Sequence, residues 1–284
     1  MKLIQVCKKH VGKSSQAHWM RFDKSGFFWT CGTPSGWIEA DIARTWVNEY
    51  TCFTPVSLPI KLADFAALLS VPVLSDTTDV LGITVSQDES NVRWIGVSTY
   101  DTKSRPITTM DRIQEAKVDD ENQQPPKFDF ASRYPVQICM ASKLLYDTLS
   151  KRKKLAGPGS FLVLSVPDVK TLQMDVLRRS DGEPTSSVRF TSDNGLLFGH
   201  EPDASADDQA SYDIRKMVSL EPVYRYSDSK DLNANIKLKL SDNEDDPIIL
   251  EYTLAEAGDG VDASSVKMFL GWKKVDNVVV DTDS

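Results

Sequence analysis

The sequence predicts an α+β fold in which one unit, rich in antiparallel strands, is written twice. Three observations carry that prediction: two hairpin patterns at residues 83–98 and 236–254, a helical stretch ahead of each, and a polar break between the copies. The repetition is one of pattern rather than of identity.

The 284 residues suit one large domain or two smaller ones, either with a sizeable core. A hydrophobic fraction of 40% beside 26% charged residues excludes wholesale disorder. No apolar run approaches the ~20 residues that a spanning helix needs. The opening MKLIQVCKKHVGK has neither a long apolar core nor a small-residue cleavage site, so no secretory leader and no membrane partner are expected. An intracellular protein is predicted.

In chain order, MRFDKSGFFWTC at residues 20–31 reads as strand, turn and strand, and LSVPDVKTLQMD at 164–175 repeats it. KLADFAALLSVPV at 61–73 has helical spacing and stops where Pro72 forbids continuation. ITVSQDESNVRWIGVS at 83–98 is two β-branched and aromatic runs joined at the polar QDESN. TTMDRIQEAKVDDENQQPPKFDF at 108–130 is polar, acidic and broken by QQPP, the composition of a linker with its boundary near Pro125. CMASKLLYDTLSKRKKLA at 139–156 is a basic helix. EPDASADDQA at 201–210 reads as an exposed loop. KMVSLEPVYRYSDSKDLN at 216–233 holds the second pre-hairpin helix, which Pro222 must open or kink. In the closing hairpin, IKLKL alternates at period two and suits a sheet with one wet face. The predicted limits are an N-terminal domain at 1–113, a connector at 114–127 and a C-terminal domain at 128–284.

The net charge of −8 argues at first against a nucleic-acid partner, because such binding draws on Lys and Arg. The charges are segregated, however. Residues 1–16 hold Lys2, Lys8, Lys9 and Lys13 and no acid, whereas residues 139–156 hold Lys143, Lys151, Arg152, Lys153 and Lys154 against Asp147 alone. Residues 241–284 hold eleven acids and three lysines. One basic face on an otherwise acidic molecule attracts a polyanion while the rest stays soluble.

Metal and catalytic chemistry find little support. Cys7, Cys31, Cys52 and Cys139 form no CxxC pair, and His10, His18 and His200 form no HxxxH or HxH spacing, so neither a metal site nor a cofactor is expected. GxSxG, GxxxxGK[ST] and a strand-following GxGxxG are all missing. The protein is not expected to be an enzyme.

One family matches these residues in order. DPIILEYTLAEAG followed by VKMFLGWKK, residues 246–274, resembles the C-terminal end of the proliferating cell nuclear antigen family of sliding clamps, with Pro247, Glu251, Tyr252, Ala255, Gly258, Phe269 and Leu270 at matching positions. MRFDKSGFFWTCGTPSGWIEADI and NEYTCFTPVSLPIKLADFAALLSVPVLSDTTDVLGITV are similar to its early regions, with Tyr50 and Cys52 at its Tyr and Cys positions. The resemblance implies two similar domains of DNA-clamp type, antiparallel sheets outside and helices on the DNA-facing side. It further implies a head-to-tail ring, a homotrimer, with edge strands near 104–112 and 183–192 pairing between neighbours. Lys8, Lys9, Lys151, Lys154 and Lys230 fall at or near the family's DNA-facing positions, and Lys13, Arg152 and Lys153 join them by helical proximity. A partner-peptide pocket is implied at Gly32, Ile38, Pro247, Phe269, Leu270, Gly271 and Trp272.

The function so implied is that of a polymerase processivity factor, encircling duplex DNA without reading its sequence. Its expected partners are DNA polymerase, other proteins bearing clamp-binding peptides, and a clamp loader, in the nucleus or a viral replication compartment. The chain also departs from the family. Its first helix is short, its connector is long, and Trp272 stands where the family has proline. Those departures imply a divergent member, viral or a subunit of a heterotrimeric DNA-damage checkpoint clamp. A β-rich interaction protein that encircles no DNA is the alternative from another class.

Overall fold

The computed structural model describes residues 17–33, 36–46, 49–68, 80–100, 111–116, 134–168, 170–200, 214–227, 235–243, 246–255 and 264–271. Contacts divide the chain into unit 1, Met1–Gly32 with Asp41–Pro126, and unit 2, Thr33–Ala40 with Lys127–Ser284.

The first strands are β1 (Ala17–Asp23), β2 (Gly26–Thr33), β3 (Gly36–Ala43), of which only the last residues belong to unit 1, and β4 (Val56–Lys61). β1 pairs antiparallel with β2 on one side and β4 on the other, so Met20 lies opposite both Trp29 and Leu58. All three side chains are buried, as period-two alternation requires of one face. The turn into β2 is tied at both ends. Asp23 accepts the Ser25 N–H, and Tyr50 Oη lies 2.8 Å from the Asp23 carbonyl and 2.6 Å from that of Gly26. Gly26 has φ +153°, and a Cβ there would lie 2.2 Å from the Ile42 carbonyl, so no other residue fits.

β4 runs directly into α1 (Leu62–Leu68), whose Phe65 and Leu68 are buried one turn apart. The second sheet of unit 1 is β5 (Val80–Gln87), β6 (Arg93–Tyr100) and β7 (Asp111–Gln114), in that order. The polar QDESN turn works through Asp88, whose carboxylate accepts the N–H groups of Ser90 and Val92 and the indole N–H of Trp94. β7 is a correction to the linker expectation. Gln114, placed at the start of the connector, closes a strand instead, and Glu115 and Ala116 donate to the carbonyls of Arg93 and Pro59. The reason is a single apolar residue, Ile113, which pairs opposite the buried Ile95.

Unit 2 contains β8 (Val136–Ala141), α2 (Ser142–Ala156), β9 (Phe161–Asp168), β10 (Thr171–Leu177), β11 (Pro184–Thr191), β12 (Leu197–His200), β13 (Ile214–Ser219), α3 (Leu220–Ser227), β14 (Asn235–Leu240), β15 (Ile248–Ala255) and β16 (Ser264–Leu270). One sheet runs β12-β8-β14-β15-β16, and the first part of β3 extends it beyond β16. The other runs β11-β10-β9-β13. Pro222 opens α3 instead of kinking it, because its missing N–H falls in the first turn where no helical acceptor exists. α2 stops at Gly157, whose φ of 79° reverses the chain and whose N–H bonds the Lys153 carbonyl.

The two units repeat one order of elements. β1-β2-β3 followed by β4-α1-β5-β6-β7 corresponds to β9-β10-β11 followed by β13-α3-β14-β15-β16, with β12 inserted in the second copy. The large sheet of unit 2 has one dry face, made by Ile236, Leu238 and Leu240 of β14, Leu250 and Tyr252 of β15, and Val266, Met268 and Leu270 of β16. α3 packs there: the Tyr226 and Tyr252 rings are 5.0 Å apart, Tyr226 donates to the Val266 carbonyl, and Tyr252 donates to the Tyr226 carbonyl.

Candidate polyanion interface and partner pocket

Four of the expected DNA-facing residues lie on α2, and the structure separates them. Ser142, Leu145, Thr148, Leu149 and Ala156 form the buried stripe. At 100° per residue, Lys143, Asp147, Lys151 and Lys154 fall on the opposite face, where Lys151 and Lys154 are exposed. Lys143 bonds Asp147 one turn on, so its charge is locally matched. No ion pair engages Lys151 or Lys154 among the described residues.

Arg152 and Lys153 point elsewhere. Arg152 donates to the Thr148 carbonyl at 3.0 Å, and its Nε is buried without a hydrogen-bond partner among the described residues. Lys153 reaches across to α3, where its Nζ lies 2.5 Å from the Glu221 carboxylate and 4.3 Å from the centroid of the Tyr224 ring. Tyr224 is itself stacked on Tyr146 of α2, with centroids 5.2 Å apart and hydroxyls 3.1 Å apart. These groups border an open groove of about 620 Å³ lined by Ser150, Lys153, Lys154, Pro158, Glu221 and Tyr224. Lys8, Lys9, Lys13 and Lys230 lie outside the described residues.

The expected peptide pocket is likewise divided. Phe269 and Leu270 are both 1% exposed, but neighbours on a strand face opposite ways, and Leu270 belongs to the dry face that packs α3. Leu270 therefore cannot line a pocket with Phe269. Phe269 instead clusters with Ile249, directly opposite it on β15, and with Tyr134, a residue that sequence reasoning missed. Its signal was slight: one aromatic ring ahead of Pro135. Burial pushes the Tyr134 hydroxyl up to about 12, helped by the Asp246 carboxylate nearby. Pro247, just before β15, is buried beside this cluster's strand. Gly271 follows β16 with φ +87°, a backbone role, and a Cβ there would sit 3.3 Å from Val218. Ile38 is fully buried on the part of β3 that extends the unit 2 sheet. Gly32 lies in β2, and Trp272 lies outside the described residues.

The same sheet face carries the charged rows of β14 and β16. Lys237 and Lys267 sit on either side of Glu251, and Lys239 Nζ lies 2.8 Å from its carboxylate. Burial pushes Glu251 up, but Lys239, then Lys267 and Lys237, outweigh it and hold the carboxyl below its ordinary 4.5.

Among the terminal strands of the described sheets are β11 and β7. β11 is bonded on one side to β10, and β7 on one side to β6, each with no second neighbour among the described residues. β7 is fastened by Arg112 stacked on Trp94 at 4.5 Å and by the Arg93–Glu115 pair at 2.5 Å.

No family model matches the chain, and no curated protein matches its sequence. Solved structures do match. The proliferating cellular nuclear antigen of Entamoeba histolytica has a TM-score of 0.64 at 14% identity, covering 95% of this chain and 92% of that one. The PCNA2–PCNA3 complex of Sulfolobus tokodaii has a TM-score of 0.63 at 12% identity, covering 95% and 93%. Over nearly its whole length, the chain has the fold of the PCNA-like sliding clamps.

Proposed function

We propose that this protein is a sliding clamp, a non-catalytic processivity factor that encircles duplex DNA and docks replication or repair proteins on its outer face. The observation that carries the reading is the fold likeness over 95% of the chain. Lys151 and Lys154 support it. They stand side by side on an exposed helix face and would meet phosphates rather than bases, which favours sliding. In this reading an N-terminal domain that includes β7 and a C-terminal domain at 128–284 act as the two clamp domains joined by the segment after Ala116, with helices inward and sheets outward. The protein works in the nucleus or a viral replication compartment, with a loader to open the ring.

The repeated element order supports the assembly. β3 corresponds to β11, and β16 corresponds to β7. Since β3 lies beside β16, the same pairing made between chains would join β11 of one to β7 of the next. Such a contact is heterologous and closes into a ring when the rotation permits. The outer sheet face with Tyr134, Ile249 and Phe269 would receive partner peptides.

Light scattering together with DNA retention tests the reading. A trimer that is loaded and retained on circular but not linear duplex is expected, and a monomer without salt-sensitive DNA affinity would sink it. The Sulfolobus neighbour is a complex of two different PCNA chains, which favours a second reading, a subunit of a heteromeric ring such as a checkpoint clamp. A chain that is monomeric alone and assembles with sister subunits would select it.

A further inference from the structure

We infer that Glu221 is a charge brake on the basic face, holding Lys153 out of polyanion contact and setting how many phosphates α2 engages. The inference rests on the proposed DNA-binding role of α2. Its observations are geometric. Lys153 lies between Lys151 and Lys154 in sequence, yet its ammonium is drawn to α3 by the Glu221 carboxylate at 2.5 Å and the Tyr224 ring face at 4.3 Å. An ammonium over a tyrosine face is held by the ring quadrupole as well as by the carboxylate. Tyr224 is fixed in turn by its stack and hydroxyl contact with Tyr146.

Both partners keep about a third of their surface in water, 34% for Lys153 and 38% for Glu221. The pair is thus accessible, and it borders the same groove as Lys154. A polyanion lying along α2 meets Lys151 and Lys154 as net positive charge and the Lys153–Glu221 pair as neutral. Removing the carboxylate without changing its shape releases one cation into the groove.

The test is the salt dependence of binding to a short DNA duplex, read by fluorescence anisotropy, for the full chain and four variants. Glu221→Gln should bind more tightly at low salt and steepen the slope of log affinity against log salt by about 0.9, one additional phosphate. Lys153→Gln alone should leave the slope unchanged, and Lys153→Gln combined with Glu221→Gln should abolish the gain. An unchanged slope in Glu221→Gln overturns the inference, as does a gain that survives loss of Lys153, since the effect would then be plain repulsion. Lys151→Glu combined with Lys154→Glu separates the two levels. If it flattens the slope while Glu221→Gln does nothing, only the brake is wrong. If neither changes the slope, the DNA-binding reading of α2 falls with it.

Discussion

Tyr50 shows how one hydroxyl can hold a turn. Its oxygen sits between the Asp23 and Gly26 carbonyls, and burial, with the nearby Cys52 and Asp23, pushes its ionisation up to about 12. Tyr50→Phe keeps the ring and leaves those carbonyls short of a donor, so chemical denaturation should show a loss of about 1 kcal/mol. Glu251 gives a pH test. Its carboxyl is held below 4.5 in the folded chain, so the unfolded chain binds its proton more tightly. The contribution is complete above the unfolded value and is lost as pH falls through the folded one. Glu251→Gln should lower stability at neutral pH and flatten the decline below pH 4.5, and a wild-type acid limb in the variant would contradict this. At this scale the sequence was partly legible. Lys151 and Lys154 were named from the family resemblance and are exposed on α2, whereas helical proximity alone added Lys153, whose diversion depends on Glu221, a residue far along the chain that the fold brings opposite it.

Elements were more legible than side chains. The hairpins at 83–98 and 236–254 form because β-branched and aromatic runs flank polar turns, and α1 and α3 precede them as their apolar spacing requires. β12 was missed because LFGH is too short to show a period, and β7, expected near 104–112 from the resemblance, lies at Asp111–Gln114 because one isoleucine among polar residues carries its pairing. The open edge of β11 yields a sharper expectation. Successive N–H groups on a strand point to opposite sides, so of Ser187 and Val188 one faces β10 and the other faces outward. Ser187→Pro and Val188→Pro should therefore behave unlike each other. One loses a ladder bond and unfolds more readily, while the other stays folded and fails to assemble. If both variants stay folded and oligomeric, this edge is not the assembly surface.

For the molecule as a whole, the acidic balance that first argued against nucleic acid is concentrated far from α2 in the sequence, with eleven acids in residues 241–284. What no local pattern could disclose is the long-range pairing. β3 is synthesised early and lies in the sheet of unit 2 beside β16, at the other end of the chain. During translation it must wait for roughly 220 further residues, which at ribosomal speeds is about 10 to 40 seconds without its partner. A fragment limited to residues 127–284 would be born lacking that strand, with the β16 edge bare. Such a fragment should aggregate as a bare edge does, and a synthetic peptide spanning residues 33–43 should restore it to a soluble species in sedimentation. β3 thus depends on a strand made much later, so a product that stops short of β16 leaves an unpaired edge on β3, the kind of edge that invites aggregation.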